Sequence, residues 1–149
     1  MLNASDIMTT RVITVKRETT LAELARILYR HRINGVPVVD DDGELIGIIC
    51  ESDLVRKKKK LHIPTVVAVF DAVFYLERPK KMEREIARIN ATTVGELYTR
   101  KIITVDEKTP VDDIASLMIE KKVHTIPVLD GKRLVGVVGQ ADLIRTLVP

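Results

Sequence analysis

The run Val12-Ile13-Thr14-Val15 returns as Ile102-Ile103-Thr104-Val105, ninety positions later. The register continues through Thr19 and Thr109, Ala25 and Ala115, Pro37 and Pro127, Val38 and Val128, and Asp40 and Asp130. One residue then drops out in a turn. An offset of 89 carries Leu45 onto Leu134, Gly47 onto Gly136, Asp53 onto Asp142, Leu54 onto Leu143 and Arg56 onto Arg145. Roughly a third of the paired positions are identical, and most of the rest exchange one aliphatic residue for another; chance does not hold one register across so many elements. The 149 residues therefore resolve into two copies of one unit with an insertion between them.

Each copy reads as β-α-β-β-α. A β-branched run, Arg11 to Val15 or Lys101 to Val105, predicts a strand. A helix follows, with Thr109 as N-cap, Pro110 at the first helical position, and Asp112 and Asp113 in the first turn. Val111, Ile114, Ala115 and Met118 make one apolar stripe, as do Leu21, Leu24, Ala25 and Leu28 in the first copy. The strands Val36 to Val39 and Ile126 to Leu129 turn back through Asp40-Asp41-Asp42-Gly43 and Asp130-Gly131-Lys132 as hairpins. They return as Leu45 to Cys50 and Leu134 to Val138, and a closing helix starts near Asp53 or Asp142. The fold class is thus α/β, in the mixed α+β sense. In the insertion, Val66, Val69, Phe70, Val73, Phe74 and Leu76 recur at helical spacing and predict a helix ending before Pro79. A second helix is predicted over Lys81 to Ile89. The insertion either covers a cleft or dimer face, or simply packs against the pair.

Composition narrows the function classes. Aromatic residues are 3% of the chain, with no Trp, so platforms for stacking single-stranded bases are scarce. A core of Val, Ile and Leu suits a buried sheet covered by helices. The net charge of +3 is local in origin: Arg56-Lys57-Lys58-Lys59-Lys60 and Lys80-Lys81 are either solvated ends or an anion-binding patch. No apolar run is long enough to span a membrane, and the first residues lack the pattern of a signal peptide. The lone Cys50 cannot form an internal disulfide, and a cytoplasmic location is expected. His31, His62 and His124 are scattered, and no metalloprotease, paired-cysteine, nucleophile-elbow or phosphate-loop motif is present. An enzyme is not expected.

Asp53 and Asp142 are the sharper candidates. Each stands three residues past an apolar strand, where a helix begins. Such a carboxylate can cap the helix and complement its dipole. It can also accept hydrogen bonds from both hydroxyls of a ribose, beside backbone amides that face phosphate. The residues alone leave both roles open.

The segments Ile33 to Asp40 with Gly47 to Leu54, and Val123 to Asp130 with Gly136 to Leu143, resemble the signatures of CBS domains, the cystathionine-β-synthase-type repeat found in tandem pairs. The lead-in Ser5-Asp6-Ile7-Met8-Thr9 is similar to the usual start of such a domain, and Gly95-Glu96-Leu97-Tyr98-Thr99 is a looser match. This resemblance implies two repeats, residues 1–56 and 93–149, forming a pseudo-two-fold pair around a mostly helical insertion at 57–92. It implies a regulatory ligand-binding module with no attached effector domain, acting on a separate partner. It also implies that Asp53 and Asp142 hold the ribose of an adenosine ligand: AMP, ADP or ATP, with S-adenosylmethionine as a further option. Ile13, Thr14, Val36 and Pro37, or Ile103, Thr104, Ile126 and Pro127, would line the adenine slot.

One departure stands out. Nucleotide-binding members usually carry Ser or Thr three residues before the aspartate, and here those positions are Cys50 and Gly139. Phosphate affinity must then come from basic groups. His124 matches a phosphate-facing basic position, and Arg11, Arg56, Lys101 and Arg145 are further candidates. His124 leads to the expectation that the second copy binds the charged end better. The family usually dimerises through its helices, and Leu21, Leu28, Leu54, Val55, Met118, Leu143 and Ile144 suit either that interface or an internal core. Two other functions are consistent with the residues: nucleic-acid association through the basic run at 56–60, and a dimeric structural adaptor without a ligand.

Overall fold

Each repeat packs its first helix into a small core that a residue of the other repeat completes, Val94 in the first and Ala4 in the second. The computed structural model describes residues 1–61, 66–69, 72–75 and 79–149, with side chains for 1–56, 83–84 and 86–149. The elements run α1 (Ala4–Ile7), α2 (Leu21–His31), β1 (Gly35–Val39), β2 (Leu45–Cys50), α3 (Glu51–Leu61), β3 (Val66–Val69), β4 (Ala72–Tyr75) and α4 (Pro79–Ala91). After a 3-10 turn at Val94–Glu96 come β5 (Val105–Asp106), α5 (Val111–Lys121), β6 (Thr125–Asp130), β7 (Arg133–Gly139) and α6 (Gln140–Arg145).

The two copies match in detail. β1 and β2 are antiparallel with Val36 opposite Ile49 and Val38 opposite Gly47. β6 and β7 repeat this with Ile126 opposite Val138 and Val128 opposite Gly136. Both hairpins shift register at the same place, after Val38 and after Val128. The first core joins Val15, Leu24, Leu28, Val36, Val38, Ile49 and Val94; the second joins Val105, Ile114, Met118, Ile126, Val128, Val138 and Ala4. These are the same positions under the repeat offset, so one pattern of burial is used twice.

Three expectations shift. The leading strands are mostly lost: Val15 makes an isolated parallel bridge to Val38, and β5 keeps two residues, paired in parallel with β6. The helix α5 starts one residue later than predicted, with Pro110 at the N-cap, because the Thr109 hydroxyl instead accepts the Asp106 N–H at 3.1 Å. The predicted helix near 66–76 is replaced by the antiparallel pair β3 and β4. Its valines are β-branched and fit a pleated surface, and an apolar run this short carries both periodicities. The second insertion helix is present as α4. His62, Phe70 and Leu76, and the side chains of Lys57 to Lys60, Lys80 and Lys81, lie outside the described residues.

The lead-in segments cross between repeats. Thr9 and Val137 exchange backbone hydrogen bonds of 2.9 and 3.0 Å, so the first lead-in lies on β7. Thr99 and Ile48 exchange bonds of 2.9 and 3.0 Å, so the second lies on β2. Two glycines permit this close approach: a Cβ at Gly47 would overlap the Tyr98 ring, and one at Gly136 would overlap the Met8 thioether. Among the described residues, no helix is long and apolar enough to cross a membrane.

Candidate functional site

Because the lead-ins cross, each aspartate faces residues of the other repeat. One cleft, of about 240 Å³, sets Asp142, Gly139 and Arg145 against Arg11, Ile13 and Pro37. The second, of about 180 Å³, sets Asp53, Cys50 and Arg56 against Thr99, Lys101 and Ile103. Both volumes fall somewhat below the roughly 300 Å³ at which small-molecule sites usually begin.

The helix-capping role of the aspartates is realised in both copies. Asp53 is the third residue of α3, 6% exposed, and its Oδ2 accepts the Cys50 N–H at 2.8 Å. Asp142 is the third residue of α6, 7% exposed, and its Oδ2 accepts the Gly139 N–H at 2.8 Å. Each Oδ1 takes a guanidinium from one turn along: Arg56 for Asp53 and Arg145 for Asp142. The Thr9 hydroxyl also reaches Asp142 Oδ1 at 3.4 Å across the repeat boundary. A carboxylate has about four acceptor positions, so each of these retains capacity for a further donor. The arginines are themselves mostly exposed, at 73% and 70% of their side chains, and can swing to an anion.

Of the residues predicted from sequence, Ile13, Pro37, His124 and Asp142 meet in the larger cleft. Ile103, His124 and Asp53 meet in the smaller. Thr14, Val36, Thr104, Ile126 and Pro127 line neither cleft. Val36, Ile126 and Pro127 are sealed into the cores beneath the hairpins, while Thr14 and Thr104 point to solvent. Both hairpins are covered on two faces here: β1 is buried throughout, and β6 from Thr125 to Val128.

Sequence reasoning missed Arg32 and Lys122. Both end helices in the left-handed region, with φ of 52° and 54°, where glycine is usual. Arg32 lines the Asp142 cleft and Lys122 the Asp53 cleft. A non-glycine residue held there in both repeats is a local strain that tends to accompany function. The signal was available: two basic residues at the repeat offset, each two positions before Asn34 or His124. Among the described residues, Arg11, Arg32, Lys101 and Lys122 have no ion-pair partner. Each cleft thus combines an aliphatic wall, a buried carboxylate and two uncommitted cations.

Cys50 lies half-buried on the wall of the Asp53 cleft. Burial, with the Asp53 and Glu51 carboxylates adding to it, pushes its thiol up to about 11. A thiol that stays protonated is a weak donor and a poor nucleophile. No cluster of three or more His, Cys, Asp or Glu able to hold a metal occurs among the described residues.

Comparison with known proteins agrees with this architecture. The sequence model of the CBS domain matches residues 4–60 and 94–149. An uncharacterised protein of Methanocaldococcus jannaschii is 31% identical over 144 residues, covering 91% of this chain and 86% of that protein. The chloroplastic CBS domain-containing protein CBSX1 of Arabidopsis thaliana is 29% identical over 143 residues; the match takes in 88% of this chain but 57% of that longer protein. Among solved structures, the CBS domain pair of protein MJ0100, in complex with 5'-methylthioadenosine and S-adenosyl-L-methionine, superposes with a TM-score of 0.72 at 29% identity, covering 99% of this chain and 96% of that one.

Proposed function

We propose that this chain, which belongs to the CBS-domain family, is a regulatory module that binds an adenosine-containing ligand in its two clefts and signals to a separate partner. The ligand is AMP, ADP or ATP, with S-adenosylmethionine as the alternative. Residues 1–56 and 93–149 are the two binding repeats, 57–92 is the insertion, and the cytoplasm is the compartment. No catalytic step is assigned.

The observation that carries this reading is the pairing, in each cleft, of a buried aspartate at a helix N-terminus with uncommitted cations from the other repeat. An adenosine moiety needs an apolar slot for the base and an acceptor for the ribose hydroxyls; a phosphate needs cations and helix N–H groups. The adenosine derivatives held by the MJ0100 pair support the same ligand class. Arg11 and Arg32, or Lys101 and Lys122, favour a ligand ending in phosphate over one ending in a sulfonium. Because each cleft takes one wall from each repeat, a ligand that fits one arrangement of the repeats better shifts the population toward it. A second copy of the chain docked on the helices would complete the module.

Calorimetry and thermal shift with AMP, ADP, ATP and S-adenosylmethionine test the proposal. Stabilisation by at least one nucleotide is expected, with loss of binding in the Asp53→Ala, Asp142→Ala double variant. No response to any of the four at millimolar concentration, or unimpaired binding by the double variant, would overturn it.

A further inference from the structure

The two clefts meet at a seam where the pseudo-two-fold symmetry breaks. Position 34 corresponds to 124, and 35 to 125. Asn34 and Gly35 line the Asp142 cleft but not the Asp53 cleft. His124 and Thr125 line both. Thr125 is 6% exposed, and among the described residues its hydroxyl has no hydrogen-bond partner. The opposite side of the seam is glycine and is crowded: a Cβ on Gly35 would lie 3.3 Å from Thr125 Oγ1 and 2.9 Å from Cys50 Sγ. A buried hydroxyl without a partner is costly, and a ligand atom in either cleft can relieve it.

We propose that the clefts are negatively coupled through His124 and Thr125, so that a phosphorylated adenine nucleotide in one weakens binding in the other. This rests on the nucleotide-binding reading above and adds a regulatory property to it. A hydroxyl donates one hydrogen, and one imidazole ring is shared by both clefts. Two ligands that both turn their phosphates toward the seam compete for these donors, and their charges repel at short range. Each cleft keeps its own cations, Arg11 and Arg32 on one side and Lys101 and Lys122 on the other. Either cleft alone can therefore hold a nucleotide well; the cost falls on filling the second. The module would then read concentration in two stages from a single ligand.

Calorimetric titration of the full chain with AMP tests this, with Asp53→Ala and Asp142→Ala supplying the intrinsic Kd of each cleft alone. After the statistical factor is removed, the second AMP should bind the unaltered chain at least tenfold more weakly than the weaker of the two single-cleft values. His124→Asn, at an exposed position, and the isosteric Thr125→Val should each narrow that gap. Adenosine, without phosphate, should show a smaller gap than AMP. A second step within threefold of the single-cleft value, or a gap that neither seam variant narrows, overturns the coupling and leaves nucleotide binding intact. Failure of the unaltered chain to bind AMP or any other nucleotide overturns both.

Discussion

At the scale of single residues, chemistry is set by where a side chain sits relative to the crossing lead-ins. Asp53 and Asp142 are the same residue twice, each accepting a backbone N–H from the end of the preceding strand and a guanidinium from one turn along. What differs is the residue beside them. Gly139 leaves the Asp142 cleft open, while Cys50 fills part of the Asp53 cleft with a half-buried thiol. That thiol is raised from its ordinary value of 9.0 to about 11, chiefly by burial. The protonated form is the one the fold favours. Its contribution to stability is therefore complete below pH 9 and lost as pH rises through 11. The alkylation rate of Cys50 by iodoacetamide, followed by mass spectrometry, should keep rising to about pH 11. At pH 8 it should be about ten- to a hundredfold slower than for an unstructured cysteine peptide, after allowing for the greater nucleophilicity of a higher-pKa thiolate. A rate that levels off near pH 9 would contradict this microenvironment.

At the scale of elements, signals carried by contiguous residues are legible in the sequence and crossings are not. The stripe Leu21, Leu24 and Leu28, the hairpins and the closing helices follow from period and turn chemistry, which are properties of contiguous residues. The carboxylate at the start of each closing helix is legible too, with capping as one of two open roles, and the structure shows the cap. The exchange of Thr9 onto β7 and Thr99 onto β2 was illegible, because it depends on the partner strand rather than on the lead-in's own sequence. This is why the cleft that each aspartate faces is not legible from its own repeat. The resemblance assigns Val36, Ile126 and Pro127 to the slot, and in the structure their side chains are buried and line neither cleft. The crossing does leave a trace, in Gly47 and Gly136 inside β2 and β7. Gly47→Ala would drive a methyl into the Tyr98 ring, and Gly136→Ala would meet the Met8 side chain. Overpacking of this kind costs about 1–3 kcal/mol. The flexible thioether yields more readily than a ring, so Gly47→Ala should lower Tm more than Gly136→Ala. Equal, negligible shifts in thermal unfolding would mean that the lead-ins do not bear on those strands in solution.

At the scale of the whole molecule, burial separates core from contact surface. Leu21, Leu28 and Met118, each of which suited either role from sequence, are 2%, 7% and 7% exposed and belong to the cores. Val55 and Ile144 are 66% and 55% exposed, and with them stand Tyr29 and Ile119 at 88% and 78%. Val55 matches Ile144 and Tyr29 matches Ile119 under the repeat offset. The two repeats therefore present the same pair of exposed apolar residues, one from the first helix and one from the closing helix. Scattered exposed apolar residues need no explanation, but a set repeated by the internal symmetry does. Two chains meeting through that set, helix face to helix face, would bury it twice over in an isologous interface. The resulting assembly would hold four repeats and four clefts. The Val55→Glu, Ile144→Glu double variant places like charges on both sides of such an interface without touching either core. Sedimentation equilibrium should then fall from twice the chain mass to the single chain mass, while thermal unfolding of the dilute variant stays cooperative. A variant that retains the dimer mass would move the interface elsewhere on the molecule, and a single-chain mass before mutation would remove it altogether.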